Sequence, residues 1–398
     1  MTLNKKILDT KDRVTGFVRD FTEGLEGRDV QRMFERDATR AIRTLSGSRD
    51  VSRGQHDLAW YLGAAKDFFV GLAMKLSPPR RLLFAASLLS PLLGLIDLDA
   101  TFGPTAVFVD FAPFWFFVGL GGMTLLLALE LADRLRVRDE IEVARELQRQ
   151  LLPKEGPALA GWRVAHAYGT ANAIGGDYYD FIPLPDGRLV LAVGDASGHG
   201  MGAGLLMAIG KTSLETALEI DPRPEAVLGV LNRVLCRTGG RRAFFTLCYA
   251  ILDPRSGDLY LASAGHPFPL LRRAATGVVE ELGRGSFPLG LKTGVRYTAE
   301  RVRLEPGDVL VLYSDGIPEA VGASGTFGFD RLAGLVRRDG DPDVLHRNIL
   351  RALDHHLGDH EPNDDFTLVI VGRDPHPPDL PPLPAEPLGA EGDGDGLG

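Results

Sequence analysis

Cysteine is nearly absent. Two occur in 398 residues, Cys236 and Cys248, each inside an apolar run. With no Cys-x-x-Cys pair, a disulfide framework and a thiolate zinc site are excluded, and packed core thiols are expected. No long basic stretch occurs either. The formal net charge is −9, from 44 basic and 53 acidic residues. Nothing supplies the phosphate neutralisation that nucleic acid demands, so no nucleic-acid partner is expected. The first 50 residues lack the apolar segment of a secretory signal. They are heavily charged, read as helices with mixed faces, as in "DVQRMFERDATRAIRTL", and carry no motif of a sensory domain.

Apolar sequence is concentrated in two charge-free blocks. Leu82 to Ile96 reads "LLFAASLLSPLLGLI", and Phe111 to Leu129 reads "FAPFWFFVGLGGMTLLLAL". The second approaches the roughly 20 apolar residues that cross a bilayer; the first is shorter and carries Pro91. Asp97, Asp99 and Asp110 make the intervening loop acidic, while Lys75, Arg80 and Arg81 precede the pair and Arg134, Arg136 and Arg138 follow it. The pattern predicts a transmembrane helical hairpin over 81–131, with both termini in the cytoplasm by the positive-inside rule. The alternative is two buried core helices of a soluble domain. The charge-free stretch around Trp115 and its phenylalanines favours the multi-pass cytoplasmic (inner) membrane placement.

Region 1–80 is left as a cytoplasmic helical segment of unknown role. Over 132–155, Val137, Ile141, Ala144, Leu147 and Leu151 recur at helical spacing and Pro153 ends the run, which predicts an amphipathic linker helix. Its stripe can pair with a second copy in a homodimer or pack on the following domain. From 156 to 373 strand-like segments such as "RLVLAVGD", "FFTLCYAILD", "DLYLASAG", "DVLVLYSD" and "FTLVIVG" are joined by turns such as "PDG" and "PRSG". Three helix-like segments accompany them. Short connections predict largely antiparallel sheets in an α+β domain. The Pro, Gly and Asp-rich stretch 374–398 is too poor in apolar residues to order itself.

Four aspartates fall at the ends of strand-like segments. They are Asp177 in "IGGDYYD", Asp195 in "VGDASGHG", Asp315 in "LYSDGIPEA" and Asp364 in "NDDFTLVIV". One such acid is ordinary turn chemistry. Four converging carboxylates repel one another, and a hard divalent cation such as magnesium or manganese removes the repulsion.

The ordered series "ELQRQLLP … IGGDYYDF … VGDASGHGMGAGLLMA … ASAGHPFPLL … GDVLVLYSDGIPEA … NDDFTLVIV" resembles the SpoIIE-type branch of the metal-dependent (PPM-type) serine/threonine protein phosphatases. The resemblance runs from about Ala144 to Gly372. It implies an α/β sandwich of two stacked antiparallel sheets flanked by helices, with two Mn2+ or Mg2+ ions at one edge. It implies that Asp177, Asp195, Asp315 and Asp364 are the acidic ligands, that Asp195 bridges both ions and that the backbone carbonyl of Ala196 is a further ligand. Asp364 is placed above its neighbour Asp365. The substrate implied is a phosphoserine or phosphothreonine on a protein such as an anti-sigma-factor antagonist of a partner-switching pathway. His266 matches a family motif and receives no proton-transfer role.

Ser197 and His199 invite a nucleophilic reading, but the sequence lacks the G-x-S-x-G elbow that raises a serine above a sheet. Two other readings remain at this point: a membrane-tethered module that binds a phosphoprotein without hydrolysis, and a metal phosphoesterase acting on a small molecule.

Overall fold

The structure is a computed structural model, described for residues 58–94, 101–102, 105–106, 112–238, 243–338 and 340–377. The expectations for 1–57, for the acidic loop with Asp97, Asp99 and Asp110, and for 378–398 lie outside the described residues. Two compact units meet at 136/137, inside a single helix.

The first unit contains α1 (Leu58–Lys75), α2 (Pro78–Leu93), the two-residue strands β1 (Thr101–Phe102) and β2 (Thr105–Ala106), and the beginning of α3 (Ala112–Leu151). α2 starts with prolines in its first turn, where the missing N–H is no loss. Arg80 pairs with Glu130 and Asp133 of α3, and the Ser90 hydroxyl donates to the Trp115 carbonyl. α2 and α3 therefore touch near both ends of α2, at Arg80 and at Ser90. Only α3 is long and apolar enough to cross a membrane among the described residues. The 16 residues of α2 span about 24 Å at 1.5 Å per residue, short of the ~30 Å hydrocarbon core.

The second unit holds β3 (Trp162–Gly169), β4 (Asp177–Pro183), β5 (Leu189–Ala196), α4 (Met201–Ile220), α5 (Pro224–Thr238), β6 (Phe245–Leu252), β7 (Asp258–Ala264), β8 (Leu270–Arg272), β9 (Val279–Glu281), β10 (Glu300–Arg303), β11 (Val309–Tyr313), β12 (Val321–Gly322), β13 (Gly325–Thr326), α6 (Phe329–Arg338), α7 (Pro342–Leu357) and β14 (Phe366–Arg373). Two five-stranded sheets form, ordered β10-β7-β6-β5-β4 and β3-β14-β11-β8-β9, and their strand pairs are antiparallel.

The period-2 alternation of strands explains the layering. In β11, Leu310 and Leu312 enter the core between the sheets, while Val309, Val311 and Tyr313 enter a second core under α6 and α7. A strand covered on both faces reads as the unbroken run "VLVLY". α4 and α5 cover the other sheet through Met207, Leu214, Leu228, Leu231 and Leu235. The result is helix, sheet, sheet, helix, as expected. Cys248 is buried among these residues and its thiol is pushed up to about 12 by burial, which leaves it inert.

Two polar contacts fix elements that carry the site. Lys211 of α4 pairs with Asp180 of β4 at 2.5 Å, and the Tyr178 hydroxyl donates to the same carboxylate at 3.0 Å. At the end of α3, buried Gln148 clamps Gly175: its Nε2 donates to the Gly175 carbonyl and the Gly175 N–H donates back to Oε1 at 3.0 Å. Of the expected linker stripe, Ile141, Ala144 and Leu151 are half-buried but Leu147 is 59% exposed, so Gln148 rather than Leu147 carries the packed face.

Candidate active site at the sandwich edge

The four sequence-predicted aspartates come to one edge. Asp177 opens β4, and Asp195 with Ala196 closes β5 directly opposite it. Asp315 follows β11, and Asp364 precedes β14, its partner in the other sheet. Antiparallel pairing puts the end of one strand beside the start of the next, so each sheet delivers one residue from a strand start and one from a strand end.

Asp177 joins the two sheets. Its Oδ2 accepts from the hydroxyls of Ser314 at 2.6 Å and Thr367 at 2.7 Å, and the Thr367 N–H donates to Ser314 Oγ. Both bonds go to one oxygen, which turns Oδ1 to other use. The carboxyl is fully buried, and burial, opposed by these hydroxyls, pushes its pKa up to about 8, with Asp365 and Asp315 adding repulsion. Asp195 is pushed up to about 8 by burial and by Asp177, Asp315, Asp364 and Asp365. Asp315 is raised by burial and by Asp364. The carboxylates therefore sense one another as a single cluster.

Asp364 is exposed, whereas Asp365 is buried and its carboxylate accepts from the N–H groups of Ala171 at 2.8 Å and Gly176 at 2.6 Å. Asp365 thereby ties down the loop that leads into Asp177. Asp195 is braced from the neighbouring strand by Thr246, whose Oγ1 accepts from the Asp195 N–H at 3.2 Å and lies 2.9 Å from Nδ1 of buried His266. Burial holds His266 down to about 3, so it is a neutral brace with no proton to give near neutrality.

Ser197 is no nucleophile. Its Oγ accepts from the Phe244 N–H at 2.9 Å, which closes the turn onto β6, and His199 is exposed. Gly198 and Gly200 take φ of +97° and +68°, the left-handed region, and carry the chain from β5 into α4.

The donor set suits a cation of the hard type. Among the described residues no three His, Cys, Asp or Glu side chains converge closely enough to hold an ion by themselves. At Gly176 a Cβ would meet the Ala196 carbonyl at 2.7 Å and Asp195 Oδ1 at 2.9 Å. Only glycine leaves that space open, and the two oxygens border it together.

Ser314, Thr367, Thr246, Gln148 and Asp365 were not singled out by the sequence as site-builders. Ser314 and Thr367 each lie within three residues of an acid of the cluster, which is the signal available. Thr246 and Gln148 reach the site only through register and helix packing.

Comparison with known proteins places this architecture. It superimposes on the SiaA-PP2C domain of Pseudomonas aeruginosa with a TM-score of 0.53 over 61% of this chain and 98% of that one, at 23% identity. The second unit thus has the fold of the PP2C/PPM protein phosphatases. The RsbU and RsbW domains of Rv1364c from Mycobacterium tuberculosis align with a TM-score of 0.50 at 29% identity, over 57% of this chain and 64% of that one. Phosphoserine phosphatase RsbU of Bacillus subtilis is 28% identical over 239 residues, covering 60% of this chain and 71% of RsbU. Residues 185–374 match the family described as Stage II sporulation protein E (SpoIIE), and the chain carries a SpoIIE-type protein serine/threonine phosphatase domain.

Proposed function

We propose that this domain removes phosphate from a phosphoserine or phosphothreonine of a regulatory protein, with two Mn2+ or Mg2+ ions at the acid edge. The observation that carries the reading is the Asp177–Asp195 cross-strand pair, which senses three further carboxylates and lies beside the Ala196 carbonyl. Asp177, Asp195, Asp315, Asp364 and the Ala196 carbonyl would hold the ions. When bound, such ions supply positive charge for the phosphoryl oxygens and acidify the attacking water.

The chain's own residues hold this arrangement rigid. Ser314 and Thr367 fix the rotamer of Asp177, Thr246 fixes the backbone of Asp195, and Asp365 fixes the approach to Gly176. Preorganised oxygen donors of this kind avoid reorganisation during reaction. The substrate class we assign is an anti-sigma-factor antagonist or a similar partner-switching phosphoprotein, a reading supported by the likeness to phosphoserine phosphatase RsbU.

We further propose that the chain is tethered to the cytoplasmic membrane, with the catalytic domain in the cytoplasm. Phe116, Phe117, Leu120 and Leu127 of α3 are more than half exposed, an apolar surface that lipid would cover. In the two-pass form of this reading α2 is the second arm. Val143 and Leu147, also exposed, offer a homodimer seam.

Turnover of a phosphorylated regulator from the same genome, with and without manganese, tests the proposal. Release of phosphate from the phosphoprotein with manganese alone is expected. Stable binding without release would favour a non-catalytic phosphoprotein-binding module. Cleavage of an aryl phosphate but not of the phosphoprotein would favour a small-molecule phosphoesterase.

A further inference from the structure

A cavity of about 290 Å³ lies between the last turns of α3 and the end of β3. Arg145, Gln148, Arg149, Leu152, Tyr168 and Thr170 line it. Its charged lining residues are both arginines. Arg145 has a loose ion pair with Glu142 at 3.9 Å, and Arg149 has no carboxylate partner among the described residues. The Tyr168 hydroxyl is buried without a hydrogen-bond partner. A buried donor left unpaired is unfavourable, so an acceptor is the missing element. Burial raises its pKa, and the phenol keeps its proton as a donor.

The cavity adjoins the acid edge without belonging to it. A Cβ at Gly175 would meet Tyr168 Oη at 2.6 Å and Asp365 Oδ2 at 2.8 Å, so this glycine separates the phenol from the carboxylate. Asp365 already spends its oxygens on the Ala171 and Gly176 N–H groups. Gln148 faces the cavity and grips both main-chain groups of Gly175, two residues before Asp177.

We propose that this cavity binds a phosphate group, with Arg145 and Arg149 as its cationic walls and the Tyr168 and Thr170 hydroxyls as donors, and that occupancy stiffens the Gln148–Gly175 clamp. Guanidinium groups suit a tetrahedral dianion because they offer paired, planar N–H donors. The ligand is either free inorganic phosphate or the phosphoryl group of a phosphoserine, chemistries the test separates.

The test uses the full chain in detergent with chelator present, so that neither divalent ions nor turnover contribute and failure of the phosphatase reading would not affect it. Orthophosphate and O-phosphoserine are titrated calorimetrically. Saturable binding of at least one is expected, and the ligand that binds more tightly identifies the source. The Arg145→Gln/Arg149→Gln double variant should weaken binding at least tenfold, and Tyr168→Phe several-fold with a melting midpoint in the absence of anion no lower than the parent's. Asp195→Asn should bind as the parent does. Hydrogen exchange at the Gly175 and Gly176 amides should slow on adding the anion to the parent but not to the double variant. No saturable binding to the parent, or equal binding by the double variant, overturns the site. Unchanged exchange in the anion-bound parent overturns the link to the clamp.

Discussion

Asp177 and Asp195 stand directly opposite each other across the β4–β5 ladder. Cross-strand partners bring their Cβ atoms to about 4.5–5.5 Å, and like charges placed so destabilise a sheet. A buried and a half-buried acid in that relationship oppose folding when both are ionised.

Asp195→Asn removes one charge of the pair. We expect turnover to be abolished, since the carboxylate borders the Ala196 carbonyl at Gly176. In chelator above about pH 8, where both acids are ionised, the same variant should melt higher than the parent, by the equivalent of about 0.2–1 kcal/mol of relieved cross-strand repulsion. Phosphate release and melting midpoints check both. Near-normal turnover in metal-free buffer would sink the assignment.

Stability of the metal-free chain should fall as pH rises. Asp177 and Asp195 have folded pKa values near 8, above the ordinary carboxylate value, so between about pH 4 and 8 the folded state holds more protons than the unfolded one. Their contribution is complete below about pH 4 and is lost as pH climbs through 8. Above about pH 7 His266, held down to about 3, is neutral in both states and adds no slope. Melting midpoints in chelator should drop from pH 7 to 8.5, and manganese should recover more at pH 8.5 than at pH 7. A flat profile in chelator would contradict the clustering of these acids.

Asp364 and Asp365 should separate cleanly. Asp365→Ala leaves the buried Gly176 N–H unpaired, at a cost of about 1–3 kcal/mol, and also frees the half-buried Ala171 N–H. Asp364 is exposed, and Asp364→Asn should leave the melting midpoint in chelator nearly unchanged while raising the manganese concentration that gives half-maximal rate. Thermal melts and metal titrations read the two effects. A larger loss of stability from Asp364→Asn would reverse the roles.

The full-length protein should sediment with membranes and resist high-salt extraction, because the phenylalanines and leucines of α3 are exposed along a helix long enough to span. Fractionation with detergent and salt controls checks this. A monodisperse soluble chain without detergent would count against the tether.

Much of the fold is legible in sequence because strand and helix periods are local. "RLVLAVGD", "DVLVLYSD" and "FTLVIVG" each mark a core strand, and the segments from Met201, Pro224 and Pro342 are helices as their spacing predicts. The four acids are legible because strand-ending aspartates beside small residues are visible without knowing their neighbours. The strand Trp162–Gly169 is harder to read, since it lies at a sheet edge with mostly half-buried residues and no sharp alternation.

What the sequence by itself determined is therefore the inventory: which segments are strands, which acids end them, and which helix is apolar enough for a bilayer. Tertiary structure alone decided the partners. Asp177 receives hydroxyls from Ser314 and Thr367, separated from it by 137 and 190 residues, and Gly175 is clamped by Gln148 from another element. It also decided that Asp365 is buried and Asp364 exposed, and that Gln148 displaces Leu147 from the packed face of α3. Hydrogen bonds between distant segments depend on register and on the stacking of two sheets. No local period encodes that geometry, because it exists only once the chain has closed on itself.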